Sequence, residues 1–281
     1  MRISIRKTFK NVFSNRYNKA NILICALILL LPQAIMSLCG SSENSLASII
    51  GIIAILFVVI SLFALIGNIT FAIRNAMFNK KFIFPSIFDS FFQKFLKGIL
   101  FLIGDTLSNI IANIIFIGIA VWMAFQLVGS SGITSILMFI AIIVLGILIA
   151  IIHTLISLNF AFDLKFGSLF KYKEIFSNLR KHCGLVLLFS IKSVFIFFLI
   201  AIPIVALFFI GQLPFYSPNE IIPNFMKNSS LLQQVVYLAF MPFGIDLAGQ
   251  VGYILFDKKI EAIKEKILKK KNARMMAKKE Q

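Results

Sequence analysis

Charge is scarce in this chain. Only 14% of its 281 residues are Asp, Glu, Lys or Arg, where a soluble domain carries about a quarter, and mean hydropathy reaches +0.96. That excludes an ordinary soluble fold and describes an integral membrane protein. Histidine occurs twice, as His153 and His182, and cysteine three times, as Cys25, Cys39 and Cys183, with no C-x-x-C pair and no ligand spacing among them. A disulfide framework and a metal centre are therefore not expected. H-E-x-x-H, G-x-S-x-G and a P-loop are missing, as is any soluble stretch large enough to bind a nucleotide. The sequence thus assigns no catalytic residue, no cofactor and no metal, and it reads as a protein that is not an enzyme.

What is present is long apolar runs. About 20 predominantly apolar residues cross a bilayer as a helix, and six stretches meet that condition: 20–40, 46–73, 98–128, 133–162, 184–211 and 232–256. "GSSENS", "GSSG" and "PFYSPNEIIPN" supply turn chemistry after the first, third and fifth. In the first run "IMSLCG" has a lipoprotein-like look, but Leu38 fills the position that must be small, so the run is read as an uncleaved helix.

The net charge of +17 sits in blocks between these runs. Residues 2–19, 74–97, 165–181 and the tail after Asp257 together hold 26 of the 28 lysines and arginines, leaving only Lys192 and Lys227 elsewhere. A nucleic-acid binder would gather its cations on one soluble face, so no nucleic-acid partner is expected. The alternation obeys the positive-inside rule. The fold expected is all-α: a polytopic bundle of six transmembrane helices in a bacterial-type cytoplasmic membrane, with both termini in the cytoplasm. Three regions follow: a basic amino-terminal segment 1–19, the transmembrane domain 20–256, and a basic amphipathic tail 257–281.

Two cytoplasmic connections read as interfacial amphipathic helices. In "PSIFDSFFQKFLKG" Ile87, Phe88, Phe91, Phe92, Phe95 and Leu96 share a face, with Asp89, Ser90, Gln93, Lys94 and Lys97 opposite and Pro85 suited to the first turn. "SLFKYKEIFSNLRKHCG" repeats the pattern with Leu169, Phe170, Ile175, Phe176 and Leu179. In the tail Phe256, Ile260, Ile263 and Ile267 recur at helical spacing with lysines opposite, as expected of a partner for anionic inner-leaflet lipids, each nearby lysine contributing about 1 kcal/mol. Other partners expected are the bilayer itself and a membrane protein or a second copy of the chain.

Ionisable groups inside a span cost at least about 2.5 kcal/mol and mark pairing or function. The candidates are Asp105, Asn109 and Asn113, recurring every four residues in the third run; His153 in the fourth; Lys192 in the fifth; and Asp246 with Gln250 in the sixth. Tyr253 extends the last stripe, and Gly244, Ala248 and Gly252 form a ladder suited to close helix packing. Asp105 lies seven residues past Gly98 and Lys192 eight past Gly184, about 10–12 Å into the bilayer at 1.5 Å per residue. Matching depth and opposite charge predict an Asp105–Lys192 ion pair.

The six runs, the paired interfacial helices, "FPSIFDSF" and the late "GQVGYILFDKK" resemble a broad group of uncharacterised prokaryotic six-helix membrane proteins. They are also similar to the membrane domain found with glycerophosphodiester phosphodiesterases. That resemblance implies a helical membrane module with lipid-related work and transfers no catalytic residue, since the hydrolytic chemistry of such proteins resides in a separate soluble domain. The function expected is that of a non-catalytic transport-like or membrane-organising component. The alternatives are an ion- or proton-coupled carrier using the intramembrane carboxylates, and an intramembrane enzyme acting on lipid.

Overall fold

The computed structural model describes residues 3–14, 19–28, 45–79, 84–128, 133–212 and 218–277, with the side chains of most of them. Every regular element among these is helical: α1 Ile5–Ser14, α2 Lys19–Ile28, α3 Ser45–Asn79, α4 Phe91–Val128, α5 Ile133–Asp163, a 3₁₀ turn Phe166–Phe170, α6 Tyr172–Gln212, α7 Pro218–Leu255 and α8 Asp257–Ala277. Among the described residues, four helical stretches are long and apolar enough to cross a membrane: Gly51–Phe78, Val144–Asp163, Tyr172–Gly211 and Leu232–Leu255. They coincide with the second, fourth, fifth and sixth apolar runs. The third run lies within α4. Of the first, α2 is apolar and helical, and residues 29–40 lie outside the described residues.

The elements depart from the sequence expectation at the connections. No separate helix spans Pro85–Gly98: residues 84–90 are non-helical, and 91–98 are the first turns of α4. Side chains from three helices occupy the carbonyls of this segment. Asn21 Nδ2 donates to Phe84 O at 2.8 Å, Asn68 Nδ2 to Pro85 O at 3.0 Å, and Lys94 Nζ to Ser86 O. Ser90 adopts φ 56°, a left-handed conformation that turns the chain into α4. Lys94, expected on a polar face, is consequently buried, whereas Phe88 and Phe92 are exposed.

In the second connection α6 bends at His182, whose φ of −126° and ψ of 21° leave the helical region and set Tyr172–Lys181 off from the apolar stretch that follows. Helix α7 begins at Pro218, so part of the expected outer connection is helical; proline suits a first turn because its missing N–H has no partner there. The last span and the tail are two helices meeting at Phe256. The hydrogen bonds Phe256 N to Gly252 O (3.0 Å) and Ile260 N to Phe256 O (2.8 Å) carry across the junction.

Buried side chains concentrate at one end of the bundle. They include Ala64–Met77 positions of α3, Ile151–Phe162 of α5 and Phe243–Leu255 of α7, together with Phe84, Ile87, Ile175 and Ile260. The other stretches expose apolar groups in long series, such as Ile52–Leu62 on α3, Ile136–Leu148 on α5 and Leu187–Ile210 on α6. Apolar surface on this scale suits lipid, where every backbone group is satisfied inside its own helix.

Two close approaches fix the packed end. A Cβ on Gly67 would stand 1.8 Å from Lys94 O, and one on Gly98 would stand 1.8 Å from Phe63 O, so α3 and α4 touch backbone to backbone. On α7 the touching residues are Gly249, against Ala76, and Gly252, against Met77. Of the expected Gly244–Ala248–Gly252 ladder, Gly252 makes this contact, whereas the atoms nearest a Cβ on Gly244 belong to Phe240 of its own helix, at 3.1 Å. Alanine normally improves a helix over glycine by about 1 kcal/mol, yet Gly67→Ala or Gly98→Ala should lower stability by about 1–3 kcal/mol through forced separation of the backbones. Gly51→Ala, where a Cβ meets nothing within 4 Å, should leave thermal unfolding in detergent unchanged or raise its midpoint. Equal midpoints for all three would contradict the close crossing.

Candidate functional site

The polar residues separate into two clusters, and the first is completed by α1. Ser4 starts that helix as its cap, its Oγ accepting from Lys7 N at 3.3 Å. Ile5, Thr8, Phe9 and Val12 fall on one face, of which Thr8 and Val12 are buried, while Arg6 and Lys10 point outward. This face lies on α7. Asn11 Nδ2 donates to Asp246 Oδ1 at 2.9 Å, and Gln250 Nε2 donates to Asp246 Oδ2 at 2.7 Å and to Thr8 Oγ1 at 2.8 Å. Gln250 Oε1 accepts from Ser4 N at 3.0 Å. Asp246 is only 2% exposed, so both carboxylate oxygens exchange water for amide donors of the same chain.

Lys192 belongs to this end of the molecule. Its Nζ donates to Ile3 O at 2.5 Å, just before α1 begins. The predicted Asp105–Lys192 pair does not form: no hydrogen bond or ion pair joins them among the described residues. Depth alone did not select a neighbour. Helix α4 packs on α3 and α5, which brings a different base to Asp105.

That base is His153, whose Nε2 lies 3.0 Å from Asp105 Oδ2. Asn109 Nδ2 donates to Asp105 Oδ1 at 3.0 Å and to its backbone oxygen at 2.9 Å, and Ser108 Oγ donates to the same backbone oxygen at 3.0 Å. The side chains of His153 and Asp105 are 48% and 19% exposed, so this pair faces outward from the packed end whereas Asn109 is buried. The side chain of Asn113 lies outside the described residues. Tyr253 leaves the α7 stripe, its hydroxyl donating to Glu261 Oε1 at 3.3 Å.

Charged contacts tie the connections together. Lys171 Nζ donates to Asp163 Oδ2 at 2.5 Å, and that hydrogen bond raises the Lys171 ammonium above its ordinary value against the opposing effect of burial. Lys259 of α8 pairs with Glu174 of α6, and beside it the Phe162 and Phe256 rings stack with centroids 4.7 Å apart. Cys25 and Cys183 are free thiols, and Cys39 lies outside the described residues. No group of three or more His, Cys, Asp or Glu side chains poised for a metal occurs among the described residues.

Among the grooves that the described residues form on the helix surface, two involve α7. One, of about 490 Å³, runs between α3 and α7 and is walled by Leu62, Ile69, Tyr237, Leu238 and Met241. The other, of about 530 Å³, lies between α1, α2, α6 and α7. Leu238 lines both.

Ser4, Thr8 and Asn11 were absent from the sequence-derived set. Their signal was available: the three recur at i, i+4 and i+7, a polar line along one helical face otherwise flanked by Ile5, Phe9 and Val12. Comparison of the chain with protein-family models, with curated proteins and with solved structures finds no match.

Removing Asn11's amide strands the buried Asp246 carboxylate. Asn11→Ala should therefore cost about 1–3 kcal/mol, and Asp246→Leu combined with it should recover part of the loss. Thermal unfolding of the cycle should give a coupling of about 0.5–3 kcal/mol. Asp105→Asn and Lys192→Met, by contrast, should add within about 0.5 kcal/mol; strong coupling between those two would contradict the separation of the clusters.

Proposed function

We propose that the chain is a six-span protein of the cytoplasmic membrane, with both termini in the cytoplasm, serving as a non-catalytic membrane-organising or transport-like component whose work is lipid-related. The observation that carries this reading is the character of two grooves, one between α3 and α7 and one between α1, α2, α6 and α7: both are lined almost wholly by apolar side chains, which suits acyl chains. The placement of the basic blocks supports the orientation. The resemblance to membrane domains that accompany glycerophosphodiester phosphodiesterases supports the lipid connection. The lysine-rich α8 supports attraction to an anionic leaflet through its charge, although Phe256 and Ile260 of the tail's expected apolar face are buried against the bundle while Ile263, Ile267 and Leu268 are exposed.

One observation favours a second reading, an ion- or proton-coupled carrier. The Asp105–His153 pair unites a carboxylate and an imidazole, and the histidine is half exposed; such pairs within spans serve as proton relays in transporters. Native mass spectrometry of protein extracted together with its surrounding membrane separates the two. The component reading predicts a lipid or a membrane-protein partner retained at fixed stoichiometry. A bare monomer whose proton uptake in liposomes is abolished by Asp105→Asn would overturn it in favour of the carrier.

A further inference from the structure

The groove between α1, α2, α6 and α7 differs from its neighbour in one respect. Phe9 and Phe13 of α1, Ile22 of α2, Ile200 of α6 and Pro242 of α7 make an apolar wall, and Lys19 is the one charged residue among the described side chains that line it. The groove between α3 and α7 has Gln234 and Tyr237 as its polar lining and no charged residue, so it offers an alkyl chain a wall but an anionic headgroup no cation. At about 530 Å³ the first lies within the range of about 300–1,000 Å³ typical of ligand sites.

Lys19 and Phe13 both line the groove and are both exposed, and the Lys19 Nζ stands 5.8 Å from the centroid of the Phe13 ring, a cation–π contact. Lys19 is also the first residue of α2, immediately before the apolar run, and this is the level at which lysines meet headgroups. Along the sequence this corner carries charge of one sign, and the carboxylate of α7 that α1 contacts, Asp246, is buried with its oxygens bonded to Asn11 and Gln250. Residues 1–42 contain six lysines and arginines and no Asp or Glu, and Arg6 and Lys10 are exposed on α1. An anion is therefore drawn to this corner. Two of the helices that wall the groove also expose apolar side chains, Leu23 and Leu27 on α2 and Leu199 and Ile202 on α6.

We propose that this groove holds one anionic phospholipid of the inner leaflet, with its phosphate at Lys19 and an acyl chain along the wall formed by Phe9, Ile22, Ile200 and Pro242. The inference rests on the lipid-related reading and on the cytoplasmic placement of α1 given above, and adds the headgroup class and the place. It is distinct from attraction of the leaflet to α8, which needs no groove.

The test is native mass spectrometry of the full chain in detergent, titrated with phosphatidylglycerol or with phosphatidylcholine of the same acyl chains. The parent protein should take up phosphatidylglycerol preferentially at a first, tight site. Lys19→Gln, at an exposed position, should weaken that site about fivefold and abolish the headgroup preference. Ala239→Phe, or Ala26→Leu if the former does not fold, fills the groove and should weaken both lipids. Lys266→Gln with Lys269→Gln and Lys270→Gln on α8 should leave the first site unchanged. If the α8 variant loses the tight site while Lys19→Gln and the groove-filling variant keep it, the groove assignment is overturned and the lipid-related reading stands. If the parent binds neither lipid at fixed stoichiometry, the lipid-related reading falls, and the groove assignment with it.

Discussion

A carboxylate buried inside a helical membrane protein has to find donors from the chain itself. Asp246 is such a group, and the amides of Asn11 and Gln250 supply its two oxygens. Because Gln250 also takes Ser4 N and donates to Thr8, the arrangement closes only if α1 lies along α7. An unmet acceptor at this site would cost about 1–3 kcal/mol, so the polar layer dictates where the first helix goes. Lys192 reinforces it by donating to Ile3 O. The lysine in the middle of an apolar run thus anchors the chain just ahead of α1.

The same end of the molecule carries the backbone-to-backbone crossing of α3 and α4 at Gly67 and Gly98, and the contact of α7 with α3 at Gly249 and Gly252. Without a hydrophobic drive between helices in lipid, close packing by small residues and interhelical hydrogen bonds supplies the cohesion. Both are gathered here, and the apolar outer stretches of α3, α5 and α6 are left to face lipid. The two grooves both take part of their wall from α7, one together with α3 and the other together with α1, α2 and α6.

Four of the six apolar runs appear as helices long and apolar enough to span, and these were legible because such a helix satisfies its own backbone, so length and composition decide the matter one segment at a time. Neighbour relations were not. Asp105 and Lys192 match in depth and charge, yet α4 borders α5, and His153 takes the carboxylate. Periodicity also failed at residues 84–90, where Asn21, Asn68 and Lys94 reach in from three helices and hold the chain out of helical form. Tertiary hydrogen bonds of this kind leave no periodic trace. Asp246 and Gln250 stood out as polar residues in an apolar run, whereas their partners Ser4, Thr8 and Asn11 lay in a basic segment whose charge drew attention to topology.

Amide hydrogen exchange of the full chain in lipid nanodiscs tests the docking of α1 most directly. An isolated ten-residue helix is marginal in water and an amphipathic one can also be protected at a bilayer surface, so it is protection lost on Gln250→Ala that reports the contacts with α7. The account predicts protection of these amides approaching that of residues 243–255, falling sharply in Gln250→Ala. Exchange of residues 5–14 at the rate of an unstructured peptide in the parent protein would contradict it.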